Sequence, residues 1–466
     1  MRILFVVHYY LPAHQAGTEL YTRALARKFH NQGHQVFIFT SEDLTKAGFH
    51  LEEDEYEGIK VFRLYHSEPF NFRASYLRTD FDELFGKTLD RIKPDIVHFQ
   101  HLFRLSIGFI NEAYKRNIPA VMTLADYWLI CPAIIMLKPE DVVCPGPEQG
   151  ENCVSCPHSF SAFYPGEASA ERSVIYKIME SGLAYAHKIK HQLPPGWVDW
   201  MREVIGKKAQ DADRRALLQE RWQEIKKAVN NLSLLIAPSR FLREMMLRSG
   251  MVNEDKIIHS DYGFEVEKFR AGFKALESDS GIEKKSQKLR LGFIGTLVRH
   301  KGLHILIKAI REIQSANFEL KIFGSENDFP GYVRELRRIA HKDPRIKWMG
   351  KIENDRIMDA LSQIDVLVVP SLWYENSPLT IHEAFLAKVP VLVSNLGGMA
   401  ELISPGGGTS FQTGDSSDLA KKISDLLYSP ESLQKWKQNI PSIKTIDQNC
   451  QELLGLYQSL IGDIIR

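Results

Sequence analysis

Apolar positions along the chain recur in two periods. Runs of four to six apolar, often β-branched residues fall at Arg2–Val7, Gln35–Thr40, Ile59–Leu64, Asp95–Phe99, Ala120–Leu124, Leu234–Ala237 and Lys256–His259. A second series begins at Leu289 and continues through Leu320–Phe323, Ile346–Met349, Val366–Val369 and Pro390–Ser394. Runs this short, bounded by Gly, Pro or Ser, predict buried strands. Between them lie segments whose apolar residues return every third or fourth position: Glu19–Asn31 (Leu20, Ala24, Leu25 and Phe29 on one face), Arg240–Ser249, Tyr332–His341, Asp355–Gln363, Asp415–Leu427 and Gln448–Ile461. Regular alternation of strand and helix predicts parallel sheets with right-handed crossovers, an α/β fold of two doubly wound, Rossmann-like domains.

A chain of 466 residues exceeds one ordinary core and fits two domains. We expect a first domain over 1–265, a polar, Gly-containing linker over 266–288, a second domain over 289–445, and a last helix, 446–466, that returns to the first. The alternation breaks at 160–230, which reads as a helical insertion with helices Glu171–Gln192 and Ala209–Val229 joined through Pro194-Pro195-Gly196. Its basic residues, Lys207, Lys208, Arg214, Arg215, Arg221, Lys226 and Lys227, fit a solvated helix face or contact with a phosphorylated or lipid-linked acceptor. The acidic run Glu52–Glu57 reads as a solvated face, and Gly406–Gly408 as a turn.

Charge narrows the partners. With 59 basic and 58 acidic residues the net charge is +1, so there is no bulk electrostatic case for nucleic acid or an anionic membrane. The apolar run at the start is too short to span a bilayer and lacks a signal-peptide cleavage pattern, which predicts a cytoplasmic protein, with peripheral contact at the inner membrane face left open. Five cysteines in such a setting argue against a disulfide framework. Cys131, Cys144, Cys153 and Cys156 are spaced C-x12-C-x8-C-x2-C in a Pro- and Gly-rich loop over 131–158, and four thiolates at this spacing suit a structural zinc site, with His158 as a substitute ligand. An iron–sulfur cluster or plain burial remain alternatives, and Cys450 reads as a core residue.

The chemistry centres on Val366 to Leu402. Strand Val366–Val369 ends at Pro370, and Ser377 has the character of an N-cap with Pro378 at the first position of a helix Leu379–Lys388. Such a helix aims free amides and the positive end of its dipole at a phosphate. Glu375 and Glu383 bracket that anion site as acceptors for hydroxyls on either side of a diphosphate. An ordinary βα crossover with solvated glutamates is the alternative. Lys301, at the start of the helix following Gly295, can neutralise a diphosphate leaving group.

The segment ENSPLTIHEAFLAKVPVLVSNLGGMAEL, with its E-x7-E pair and Gly-Gly loop ahead of a Glu, resembles the signature of the family-four retaining nucleotide-sugar glycosyltransferases of the GT-B type. The resemblance implies that Glu383 holds the ribose hydroxyls and Glu375 the transferred sugar. The backbone of Asn376, Ser377, Pro378 and Leu379 would take the diphosphate or sugar, and Gly397 and Gly398 would form the next loop. Ala16-Gly17-Thr18 resembles the family's glycine loop beside the donor, and Gly350-Lys351-Ile352 lies where the family seats the base. Lys301 matches the Lys of the phosphate clamp, while the family's Arg position is Thr296, with Arg299 close enough in sequence to compensate. His98 and His101 are candidates for the acceptor side or for structural roles. The stretch Leu124-Ala125-Asp126-Tyr127-Trp128 resembles a family segment that carries His where this chain has Ala125. Asp126 would orient hydroxyls, and the sequence leaves open a natural variation, an inactive relative or an engineered substitution.

The implied activity is transfer of a hexose from a UDP- or GDP-sugar to a hydroxyl of a glycan, lipid-linked or small-molecule acceptor, with retention, no cofactor and no divalent ion at the donor. Asp126, Lys301 and Glu375 are the candidate catalytic residues. The rival readings are a catalytically impaired nucleotide-sugar-binding relative, a sugar-nucleotide epimerase and a phosphorylase.

Overall fold

The computed structural model describes residues 1–44, 48–67, 71–156, 158–161, 197–267, 269 and 288–465, with the backbone alone at 140, 160–161, 197–210 and 463–465. The expected helix Glu171–Gln192 and most of the linker lie outside the described residues.

Two open sheets are built from the two series of apolar runs. The first comprises β1 (Arg2–Val6), β2 (Gln35–Asp43), β3 (Phe49–Tyr56), β4 (Ile59–His66), β5 (Ile96–Phe99), β6 (Ala120–Thr123), β9 (Leu234–Ala237) and β10 (Ile257–His259), while β7 (Leu137–Lys138) and β8 (Val142–Val143) form a separate hairpin. Its order is β10-β9-β6-β5-β1-β2-β4-β3. Every neighbour is parallel except β3, which runs antiparallel to β4 at the edge. The acidic run is therefore a strand rather than a bare surface segment. It is nonetheless mostly exposed, and its carboxylates face Lys60 and Arg63 of β4, so charge blunts an edge that would otherwise template pairing.

The second sheet comprises β11 (Leu289–Ile294), β12 (Phe318–Phe323), β13 (Ile346–Gly350), β14 (Val366–Val369), β15 (Val391–Ser394) and β16 (Gly408–Phe411), all parallel, in the order β13-β12-β11-β14-β15-β16. The turn expected at Gly406–Gly408 leads directly into β16. In this order the chain reverses its direction of growth between β11 and β14, and a ligand crevice opens outside the carboxyl ends of strands at such a switch point. The loops after β11 and β14 meet there, and they carry Thr296 to Lys301 and Glu375.

Helices Gly17–Asn31 and Ile446–Ile465 cover one face of the first sheet. Leu25, Phe29, Cys450, Leu453 and Tyr457 pack with Ile3, Phe5 and Ile96. At the centre of this layer Tyr457 and His98 share a hydrogen bond of 2.5 Å to Nδ1, and Thr123 Oγ1 lies 2.8 Å from Nε2. His98 is fully buried, and burial lowers its pKa to about 3, so it is a neutral core group. The acceptor-side assignment of His98 is thus corrected, because both ring nitrogens are occupied inside the protein. Helix Trp197–Asn230 contains the expected Ala209–Val229 segment, and Arg221 on it is buried against the Trp128 carbonyl, not solvated. Among the described residues no helix is long and apolar enough to cross a membrane.

Tyr457→Phe removes one buried partner of His98 without changing volume. The expected loss is about 1–2 kcal/mol, read as a melting temperature lower by about 2–4 °C; an unchanged melting temperature would show that the hydroxyl contributes nothing to holding the last helix.

Candidate functional site

Glu375 lies in the loop between β14 and the helix Leu379–Leu386 and is 6% exposed. Its Oε1 accepts from Lys301 Nζ at 2.7 Å, Ser371 Oγ at 2.8 Å and Trp373 Nε1 at 2.9 Å. Burial alone pushes this carboxyl up; the adjacent Lys301 ammonium and the two neutral donors outweigh it and hold Glu375 below the ordinary carboxylate range. Because all three donors converge on one oxygen, Oε2 keeps its accepting capacity for a ligand hydroxyl.

The loop is held from below by helix Gly397–Ile403. The Gly398 amide donates to the Glu375 carbonyl at 2.9 Å, and a Cβ at 398 would sit 1.5 Å from the Asn376 carbonyl oxygen, so only glycine lets the two segments approach this closely. Glu401, on the same helix, accepts from the amides of Arg240 and Phe241, both at 3.0 Å, and so caps helix Arg240–Arg248 of the first domain.

Asn376 and Ser377 direct their side chains to the first domain. Asn376 Nδ2 donates to the Leu124 carbonyl at 2.8 Å, and its Oδ1 accepts from Ser239 Oγ at 2.8 Å. Ser377 Oγ donates to Asp261 Oδ1 at 2.7 Å and lies 2.8 Å from His382 Nε2. Ser377 is therefore not the helix cap; the cap position is Pro378, whose backbone is extended, and the helix begins one residue later than expected, at Leu379. The first amides of that helix are left without a side-chain cap, as an anion site requires.

Beside this helix start opens a cleft of about 350 Å³, lined by Gly295 and Thr296 after β11, Lys351, Ile352 and Asn354 after β13, Thr380 and Glu383 on the helix, and Ala13 and Gln15 from the first domain. Of the predicted donor residues, Thr296 and Glu383 line it, as does the Lys351-Ile352 turn. Lys301, Arg299 and Glu375 are not part of its lining. Arg299 is instead held by Asp141 at 2.9 Å and Glu335 at 3.1 Å. Gly17 opens the first helix with Thr18 behind it, and a Cβ at 17 would lie 3.1 Å from Leu379 Cδ1, so the glycine loop packs directly against the start of the Leu379 helix.

In the first domain, Asp126 Oδ2 accepts from His101 Nε2 at 2.8 Å and Oδ1 accepts from the Trp128 amide at 2.8 Å; neither Asp126 nor His101 lines this cleft. His101 Nδ1 accepts from the Phe103 amide at 2.9 Å, which places the ring proton on Nε2 and makes the imidazole a neutral donor. Asp126 is thereby oriented with both oxygens engaged, next to Ala125.

The four clustered cysteines are free thiols. Burial pushes the Cys131 thiol up to about 12 and the Cys153 thiol up to about 11. Among the described residues no three His, Cys, Asp or Glu side chains converge to hold a metal, so the zinc site is not supported. Cys450 is a core residue, 1% exposed.

Residues 16–133 match the family model described as Glycosyltransferase Family 4, and residues 276–442 match that described as Glycosyl transferases group 1. The chain belongs to the family-four, group 1 glycosyltransferases. An uncharacterized protein of the cps region of Klebsiella pneumoniae is 20% identical over 86% of this chain and 87% of its own length. The GDP-mannose-dependent monoacylated α-(1-6)-phosphatidylinositol monomannoside mannosyltransferase of Corynebacterium glutamicum is 28% identical over 32% of this chain, and an uncharacterized glycosyltransferase of Methanocaldococcus jannaschii 33% identical over 24%. The match spans 42% and 28% of those two relatives' own lengths. Among solved structures, a sucrose-phosphate synthase from Thermosynechococcus elongatus superposes with a TM-score of 0.64 at 16% identity, covering 99% of each chain. Anabaena HepE in complex with UDP superposes at 0.62 and 15%, covering 98% of this chain and 100% of its own. At such identities these structures establish the two-domain GT-B fold.

Within this glycosyltransferase, sequence reasoning missed Ser371 and Trp373 on Glu375, the cross-domain partners Ser239, Asp261 and Glu401, and the pair His8 and Glu19, whose Nε2 and Oε1 lie 3.4 Å apart beside His101. A polar Ser and Trp on the turn just before a buried Glu were the available signal for the first two.

Two substitutions test the site. Gly398→Ala forces the Asn376 carbonyl to move and is expected to cost about 3 kcal/mol, seen in urea unfolding; a neutral result would mean that the loop can shift freely. In the parent chain the depressed Glu375 pKa adds stability that is present above the ordinary carboxylate range and is lost as pH falls through the folded value. Lys301→Met removes the ammonium, burial then raises the pKa, and the sign reverses: melting temperature should fall as pH rises from 5 to 7. A variant with the parent's pH slope would contradict the ion pair's role.

Proposed function

We propose that this glycosyltransferase moves a hexose from a UDP- or GDP-sugar to a hydroxyl of a glycan, lipid-linked or small-molecule acceptor, with retention of anomeric configuration. The observation that carries this reading is the ionised, buried Glu375, fixed through one oxygen by Lys301, Ser371 and Trp373 at the foot of an uncapped helix whose Glu383 lines the adjoining cleft. Glu375 offers its second oxygen to a sugar hydroxyl, Glu383 offers acceptors to ribose, and the first amides of the Leu379 helix with Thr296 take the diphosphate. Lys301 stays paired with Glu375 and turns its remaining ammonium protons toward the diphosphate that leaves as the bond from the sugar's anomeric carbon to the phosphate oxygen breaks. Positioning and leaving-group stabilisation carry the step, with no covalent nucleophile and no divalent ion assigned to the donor. The solved HepE complexes contain UDP, and UDP-glucose in one case, and the Corynebacterium relative is GDP-mannose-dependent, which supports both bases as candidates here.

Ala125 favours one second reading, a nucleotide-sugar-binding relative with impaired turnover. The residue presents only a methyl group where the family resemblance places an imidazole, while its carbonyl is approached by Asn376 Nδ2 at 3.4 Å.

Thermal-shift screening against UDP- and GDP-sugars, followed by nucleoside diphosphate release, tests the proposal. A tight donor raises the melting temperature by mass action, and Lys301→Ala lowers turnover by about 10²–10³. Turnover that appears only in Ala125→His supports the impaired relative. The absence of any shift across the panel contradicts both readings.

A further inference from the structure

Segment 131–156 follows β6 of the first sheet, and part of it reaches the second domain. Its hairpin, β7 to β8, turns through Pro139-Glu140-Asp141. Five non-glycine residues between 134 and 149 have left-handed backbone: Ile134, Met136, Asp141, Glu148 and Gln149. That conformation is costly for side-chain-bearing residues, β-branched Ile134 above all, and such segments persist where the surroundings over-determine them. Asp141 at the hairpin tip, four-fifths buried, accepts from Arg299 Nε at 3.0 Å, and Arg299 Nη2 lies 2.9 Å from the same oxygen. Arg299 begins the turn Arg299–Lys301. The next residue, His300, accepts the Leu372 amide at 2.8 Å through its carbonyl, and Lys301 pairs with Glu375. Among the described residues, the loop that places Lys301 is therefore held inside its own domain by the Leu372 amide, by Glu375 and by the Arg299–Glu335 pair, and from the opposite domain by Asp141.

We propose that Asp141 is a positioning residue: it acts through Arg299 to hold the Lys301 loop in place only while the two domains are closed on each other, and so couples closure to retention of a nucleoside diphosphate. The proposal rests on the donor-site reading above. It also gives the exposed Arg299 a role other than direct phosphate binding, since both ends of its guanidinium are occupied by carboxylates.

The sign of one substitution separates positioning from plain electrostatics. Asp141→Asn deletes a negative charge near an anion site, and a bystander charge would thereby tighten a diphosphate. Loss of a positioning contact loosens it. The probes are UDP and GDP, measured by stopped-flow binding on the full chain. Asp141→Asn should raise the dissociation rate about 5- to 10-fold, the effect of roughly 1 kcal/mol at a partly exposed pair. Arg299→Gln should match it. Glu335→Gln, which removes an equal charge from the same guanidinium without touching the domain interface, should stay within about 2-fold, and Asp141→Glu should restore part of the loss. A dissociation rate in Asp141→Asn that is unchanged or slower, or equal effects in Asp141→Asn and Glu335→Gln, overturns the inference while leaving the donor site standing. Failure of the parent chain to bind either nucleotide overturns the donor-site reading and this inference together.

Discussion

A carboxylate taken out of water must be compensated or it will bind a proton, and the centre of this protein is organised by that requirement at Glu375. Lys301, Ser371 and Trp373 come from two loops that follow neighbouring parallel strands, β11 and β14, and they meet because the sheet's strand order reverses there. Neither loop can move independently without leaving a buried charge unpaired, a loss of several kcal/mol. The ion pair therefore fixes the site before any ligand arrives.

The same loop also joins the domains. Asn376 and Ser377 extend from Glu375 to Leu124, Ser239 and Asp261, and Glu401 beneath them caps a first-domain helix. Groups that a motif-based view places on the ligand serve, through their side chains, as the seam between the two halves. The loop that carries Glu375 and the contacts that set the two domains against each other are consequently one continuous segment. Gly398 shows how close the packing is, since a single methyl there would collide with the Asn376 carbonyl.

Much of the architecture was legible because parallel strands buried on both faces leave continuous apolar runs, and every run of that kind became a strand. The exceptions have physical causes. β3 is an exposed edge strand whose acidic residues conceal its period, and β16 begins at a glycine. At the site, the Glu375–Glu383 spacing and Lys301 could be read from local pattern. The choice of Pro378 over Ser377 as cap could not, because it depends on Asp261, more than one hundred residues away in sequence. The same holds for His98, whose partner is Tyr457, and for Arg299, whose partner Asp141 lies in another domain. The cysteine spacing suggested zinc because spacing alone does not say whether side chains converge, and among the described residues no three His, Cys, Asp or Glu side chains do.

The most direct test of the central claim is a crystal structure of the chain soaked with UDP. The account predicts the diphosphate on the first amides of the Leu379 helix beside Thr296, the ribose on Glu383 and the base at the Lys351-Ile352 turn, with Glu375 still ionised and paired. A nucleotide bound outside this cleft, or a Glu375 carboxylate released from Lys301 and turned away from the diphosphate, would contradict it.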